Sequence, residues 1–159
     1  MVAEPYRTCC ILGHRTITES KELKNRICDV LEHLIENEKV DTFLFGSKSK
    51  FTDLCLALVT KTKEEHPQIK RIYVRAEYPH IGEDYENYLL ERFDQTYYPK
   101  GLLGAGKAIY VKRNYEMIDH SRFCLIYYDE TSEAVNRKSG TKIAFHYALK
   151  KKKIIFRLP

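Results

Sequence analysis

Hydrophobic residues fall along this chain in short unbroken runs, each followed by a polar loop and then by a stretch with helical spacing. Thr8-Cys9-Cys10-Ile11-Leu12 is the first run, and it stops at Gly13-His14-Arg15. A run without alternation suits a strand buried on both faces, as in a parallel sheet. Thr42-Phe43-Leu44-Phe45, the segment 69–74 and the segment 123–128 repeat the pattern, and Ile154-Ile155-Phe156 closes it. Leu23, Ile27, Val30, Leu31, Leu34 and Ile35 share one face of a helix over 19–37, with Thr18 as its expected cap. Phe51, Leu54, Cys55, Leu58 and Val59 mark a second helix, ended by Pro67. Segments 85–93 and 110–120 predict two more helices, and 95–98 a short strand. Segment 99–106, with three glycines, is expected to be a flexible loop. A fifth helix opens on Ser139-Gly140-Thr141. Strands alternating with helices predict a single domain over 1–159, a three-layer α/β fold with a mostly parallel sheet.

In such sheets ligands sit at the carboxyl ends of the strands, where the strand order switches. Gly13-His14-Arg15, Gly46-Ser47-Lys48, Arg75 and the loop before Gly140 all follow strands, so they should gather on one edge. A helix start carries unpaired N–H groups and a partial positive charge, which suit phosphate. Gly140 would let a ligand approach the backbone closely. Ser139 and Thr141 supply hydroxyls, either as caps or toward a ligand. Arg113 offers a two-pronged grip on an anion; the plainer reading is a surface ion pair. As a cleft residue it is expected to be dispensable for stability.

Composition narrows the partners. The net charge of +5 tolerates an anionic ligand without demanding one. Lys150-Lys151-Lys152-Lys153 reads as a solvated helix end, and no nucleic-acid motif is present, so nucleic acid is not the expected partner. His146 reads as a packed histidine, Asp119 as structural, and Tyr97-Tyr98 either as ordinary loop tyrosines or as a surface for stacking a base. No residues have metal-ligand spacing, and no cofactor is expected. Five cysteines without a C-x-x-C pair point to a reducing cytoplasm without disulfides. No apolar run spans a membrane, and Met1-Val2-Ala3-Glu4-Pro5 lacks a signal-peptide pattern.

Four motifs in order carry a family likeness. They are the strand ending in Gly13-His14-Arg15, the strand-then-Gly46 turn, Arg113-Asn114 followed by Met117 and Asp119, and Gly140-Thr141 before Tyr147-Ala148. Together they resemble the YpsA-like branch of the SLOG superfamily, a Rossmann-like group related to the LOG and DprA proteins. The resemblance implies a nucleotide or nucleotide-derived ligand, such as an ADP-ribose-type or cyclic nucleotide signal of bacterial conflict systems. It places Gly13, His14 and Arg15 in the first ligand loop and Gly46 and Ser47, with Lys48, in the second. Arg113 and Asn114 would meet the ligand's polar groups, and Gly140 and Thr141 would receive phosphate. It also implies self-association through helices, with which 12 tyrosines and 7 phenylalanines accord.

Two departures from that pattern matter. The second loop, Gly46-Ser47-Lys48-Ser49-Lys50-Phe51-Thr52-Asp53, is poorer in glycine and more basic than in YpsA-like proteins, with its acid offset to Asp53. LOG enzymes carry a catalytic Glu after Gly-Thr, where this chain has Ala144, and alanine has no proton to exchange. The expected activity is therefore binding without turnover, as a sensor or a sequestering sponge, with no catalytic residue. The alternatives are a nucleotide N-glycosidase using Asp53 or Asp119, and a protein-interaction module on the same fold.

Overall fold

The computed structural model describes residues 4–131 and 140–159. Six strands form one sheet: β1 (Thr8–Gly13), β2 (Thr42–Phe45), β3 (Lys70–Val74), β4 (Gln95–Tyr97), β5 (Phe123–Tyr127) and β6 (Ile154–Leu158). They lie in the order β4-β3-β2-β1-β5-β6, and every neighbouring pair is parallel. The helices are α1 (Lys21–Glu32), α2 (Lys50–Lys63), α3 (Glu83–Leu90), α4 (Ile109–Asp119) and α5 (Gly140–Lys150). This is a three-layer α/β Rossmann-like fold.

The unbroken apolar runs serve two cores at once, because successive side chains of a strand point to opposite faces. Cys9 and Ile11 pack with Leu23, Ile27 and Leu31 of α1 and with Phe51, Cys55 and Val59 of α2. Cys10 and Leu12 pack on the other face with Met117 and Ile118 of α4 and with Ala144 and Ala148 of α5. All five cysteines are free thiols. Each fully buried Phe or Leu contributes about 1.5–3 kcal/mol, so the two cores hold the strands in register without covalent help.

Several local expectations need correction. The cap of α1 is Ser20, not Thr18: the Ser20 hydroxyl accepts from the Leu23 N–H at 3.0 Å. The helix then widens into one π-helical turn, His33–Asn37. Segment 99–106 is structured by short 3-10 turns at Lys100–Leu102 and Gly106–Ala108 and anchored by buried Leu102. Gly104 and Gly106 take left-handed φ values of 77° and 59°, which glycine adopts without strain. His146 is exposed rather than packed. The lysine run ends α5 in solvent, with Lys151 over the Tyr147 ring at 5.4 Å.

The edge strand β4 is pinned by charge. The Arg71 Nε and Nη2 donate to the two Asp94 carboxylate oxygens at 3.0 and 3.1 Å, and the Arg71 N–H adds a third bond at 2.8 Å. Burial pushes the Asp94 carboxyl up, but the hydrogen bonds and charge of Arg71 outweigh it and hold it below its ordinary value. A depressed folded pKa gives stability that is present above the unfolded value of about 4 and is lost as pH falls through the folded one. Asp94→Asn should therefore cost about 1 kcal/mol at pH 7, and urea midpoints should show this gap closing below about pH 4.

Candidate functional site

The strand order switches beside β1, which has β2 on one side and β5 on the other. The chain leaves β1 and β2 through α1 and α2 on one face, and enters and leaves β5 through α4 and α5 on the other. The carboxyl ends of β1, β2 and β3 thus open into a crevice that the starts of α4 and α5 help to close. It is a cleft of about 800 Å³, within the usual range for small-molecule sites. No helix among the described residues is long and apolar enough to cross a membrane.

The first loop brings Gly13, His14 and Arg15 into the cleft. Gly13 is there for packing: a Cβ would sit 2.4 Å from the buried Phe51 ring. His14 is buried, and its Nε2 accepts from the Asp129 N–H at 3.0 Å. A backbone N–H cannot reverse that bond, so in the neutral ring the proton sits on Nδ1. Nδ1 has no partner among the described residues, which makes it a donor on the cleft wall. The Tyr127 and Tyr128 rings meet the imidazole edge-on at 5.9 and 5.8 Å and fix its plane. Arg15 is exposed, and its carbonyl accepts from the Lys50 N–H at 2.9 Å.

The second loop supplies Gly46, Ser47 and exposed Lys48. Ser49 is spent on a capping box: its hydroxyl accepts from the Thr52 N–H at 3.1 Å, and its N–H donates to the Thr52 hydroxyl at 3.2 Å. Together with the bond from Lys50 to Arg15, this satisfies much of the α2 start from within the protein. Ser47 is different. Its Oγ is buried and has no hydrogen-bond partner among the described residues. A buried hydroxyl left unpaired costs free energy.

Arg113 is a buried residue of the cleft lining. It is 5% exposed, and its Nη1 donates to the Gly46 carbonyl at 2.6 Å and its Nε to Asn114 Oδ1 at 3.2 Å. The Tyr110 ring lies 5.6 Å from the guanidinium. No carboxylate pairs with it among the described residues, and Nη2 has no protein partner there. Burial pulls its pKa below the ordinary guanidinium value, but an arginine remains charged. Gly46 exists for this side chain: a Cβ there would meet Arg113 Cδ at 2.6 Å and Met117 Sδ at 2.8 Å. Arg113 is therefore both a cleft residue and a packed one, which removes the premise on which it was expected to be dispensable for stability.

Arg75 also lines the cleft, but its guanidinium is engaged by the protein. It donates to the Tyr78 carbonyl at 3.2 Å, the Pro79 carbonyl at 3.3 Å and the Thr96 hydroxyl at 3.2 Å. Those bonds shape the turn after β3, which leaves Arg75 as a source of positive potential rather than a free fork. Asn114 keeps its amide donors without a partner among the described residues. Gly140 and Thr141 open α5 at the cleft, and a Cβ on Gly140 would meet nothing within 4 Å among the described residues. Ser139 lies outside the described residues.

Sequence reasoning missed the aromatic side of the cleft. Tyr73, Tyr78, Tyr85 and Tyr110 all line it. Tyr78 and Tyr110 are about half exposed, at 52% and 49%. Tyr110 could have been found, since it lies three residues before Arg113 on one helix face. Tyr78 and Tyr85 come from the segment after β3, where only Arg75 was singled out. The one carboxylate among the described lining residues, Glu77, was missed as well; its Oε1 accepts from the Tyr110 hydroxyl at 2.9 Å. That bond is the main reason the Tyr110 phenol is pushed above its ordinary pKa. Asp53 and Asp119 do not line the cleft. Asp53 is exposed on α2, and Asp119 is the last residue of α4, away from the helix start that lines the cleft, where it accepts from the Tyr147 hydroxyl at 2.8 Å. Tyr97 faces elsewhere too, donating to Glu116 at 3.2 Å.

No family model matches the chain, and no curated protein matches it.

Proposed function

We propose that the protein binds a phosphorylated, nucleotide-derived small molecule in this cleft and holds it without turnover, as a sensor or a sequestering protein. The observation that carries the reading is Arg113: a buried guanidinium without a carboxylate partner among the described residues, facing a cleft. Burying a charge without a partner is costly, and an anionic ligand would supply the missing one. The Ser47 hydroxyl and the start of α5 add neutral donors to the same lining. Among the described lining residues, the cations Arg15, Lys48, Arg75 and Arg113 face one carboxylate, so their field favours an anion. The tyrosines supply flat apolar area for a base, and base–aromatic stacking contributes about 1–3 kcal/mol per base. These features accord with the YpsA-like SLOG resemblance, in which self-association is part of the proposal.

The glycosidase alternative loses its two proposed acids, because neither Asp53 nor Asp119 lines the cleft. Ala144, where the resemblance would put a catalytic Glu, packs against the sheet. The deciding experiment is mass spectrometry of small molecules released from purified, heat-denatured protein, followed by calorimetric titration with nucleoside monophosphates and ADP-ribose-type compounds. An intact phosphorylated ligand is the expected result. Release of free base during incubation would defeat the binding-only reading. Absence of binding by any phosphorylated compound, with no stabilisation by inorganic phosphate, would leave an interaction module.

A further inference from the structure

We propose that Glu77 is the residue that selects the ligand. It takes the unsubstituted sugar hydroxyls of a nucleoside monophosphate and rejects a ligand carrying a second phosphate at that position. This rests on the nucleotide reading above. The cleft has two chemically different ends. One is built from Arg113, the Ser47 hydroxyl and the start of α5, all donors for a phosphate. The other follows β3 and holds Arg75, Tyr78 and Tyr85, with Tyr110 brought to it by α4. Glu77 sits at this second end.

A carboxylate only accepts hydrogen bonds, whereas the cleft's lysine and arginines only donate. A ligand's phosphate therefore finds partners at the basic end and like charge at Glu77. A ligand's hydroxyls have the opposite preference, since a vicinal diol offers two donors to one carboxylate. Glu77 is held for this use. Tyr110 donates to Oε1 at 2.9 Å, which leaves Oε2 without a protein partner among the described residues. No cation forms an ion pair with it there; the cation whose charge it feels is Arg113, whose Nη1 and Nε are taken up by the Gly46 carbonyl and Asn114 Oδ1. Glu77, Tyr110 and Arg113 thus form a linked series, with the guanidinium 5.6 Å from the Tyr110 ring centre. The series sets the hydroxyl-accepting end at a defined place relative to the phosphate-accepting end.

The test is calorimetric titration of the full chain with AMP, 2′,3′-dideoxy-AMP and adenosine 3′,5′-bisphosphate, repeated on Glu77→Gln. The glutamine keeps an oxygen to accept from Tyr110, so the fold and the tyrosine position are preserved. The parent should bind AMP about tenfold more tightly than either analogue, as a charge-assisted contact implies. In Glu77→Gln the dideoxy gap should shrink severalfold, and the bisphosphate should bind as well as AMP or better. Equal binding of all three by the parent, or ratios unchanged in Glu77→Gln, overturns the role of Glu77 and leaves the nucleotide reading standing. Failure of all three to bind the parent, with inorganic phosphate also giving no thermal stabilisation, overturns both.

Discussion

Arg113→Met should weaken binding of a phosphorylated ligand by tenfold to more than a hundredfold while leaving the unliganded fold nearly as stable as the parent. Arg113→Ala should do the same to binding and also destabilise the fold by about 2–4 kcal/mol. The affinity loss follows from removing a charge-assisted contact of about 1.5–3 kcal/mol. The difference between the variants follows from the burial of this side chain, which is 5% exposed and packs under Gly46. Alanine opens a cavity and removes the donor of the Gly46 carbonyl, which is bonded at 2.6 Å in the parent. Methionine also removes that donor, but it fills the space and removes an unneutralised buried charge, so gain and loss offset one another. Urea unfolding with and without excess inorganic phosphate separates the two effects. The parent should gain stability from phosphate by mass action, and neither variant should. If Arg113→Met is stabilised by phosphate as much as the parent, the anion sits elsewhere. If it loses as much stability as Arg113→Ala, the hydrogen bond to Gly46 outweighs the burial cost of the charge. Arg113→Lys should recover only part of the affinity, since lysine keeps the charge but lacks the fork.

The layered fold was legible because burial on both faces leaves a mark that no neighbour can disguise. Cys9-Cys10-Ile11-Leu12 and Phe123-Cys124-Leu125-Ile126 are apolar at every position, and each feeds both cores. The gathering of Gly13, Gly46, Arg75 and Gly140 at one edge followed from the same logic, since parallel strands end together. What stayed hidden depends on distances between segments remote in the chain. Thr18 and Ser20 are both cap-forming residue types, and the path of the chain after β1 places Ser20 at the helix start. Arg75 and Arg113 look alike as loop and helix arginines. One is spent on carbonyls of its own turn, while the other is buried 67 residues from the carbonyl it holds. Glu77 gained its place only when α4 carried Tyr110 across to it. The glycines show the limit most clearly, because Gly13 and Gly140 carry the same expectation in sequence and have opposite reasons in space.

Gly13→Ala should therefore be a stability mutant and Gly140→Ala a binding mutant, although both residues line the cleft. At position 13 the added carbon would lie 2.4, 2.7 and 2.9 Å from Phe51 Cδ2, Cγ and Cβ. That ring has little freedom to retreat. It is fully buried and packs against Tyr127 with 5.3 Å between ring centres. The start of α2 that carries it is tied down by the Lys50 N–H on the Arg15 carbonyl and by the Ser49–Thr52 capping box. Overpacking of this kind costs about 1–3 kcal/mol, which for a chain of this length lowers Tm by roughly 2–12 °C. Phe51→Ala removes Cδ2 and Cγ, the two nearest of these atoms, so Gly13→Ala/Phe51→Ala should be less destabilised than the sum of the single variants, as contacting residues require. At position 140 the added carbon meets nothing among the described residues, so stability should stay within about 0.5 kcal/mol of the parent. Affinity for the phosphorylated ligand should fall, because the methyl occupies the space over the α5 N–H groups, and Gly140→Val should lower it further. Thermal melts and titrations on the same samples read both quantities. If Gly13→Ala keeps its Tm and loses affinity instead, the glycine serves the ligand and the Phe51 contact is not what requires it.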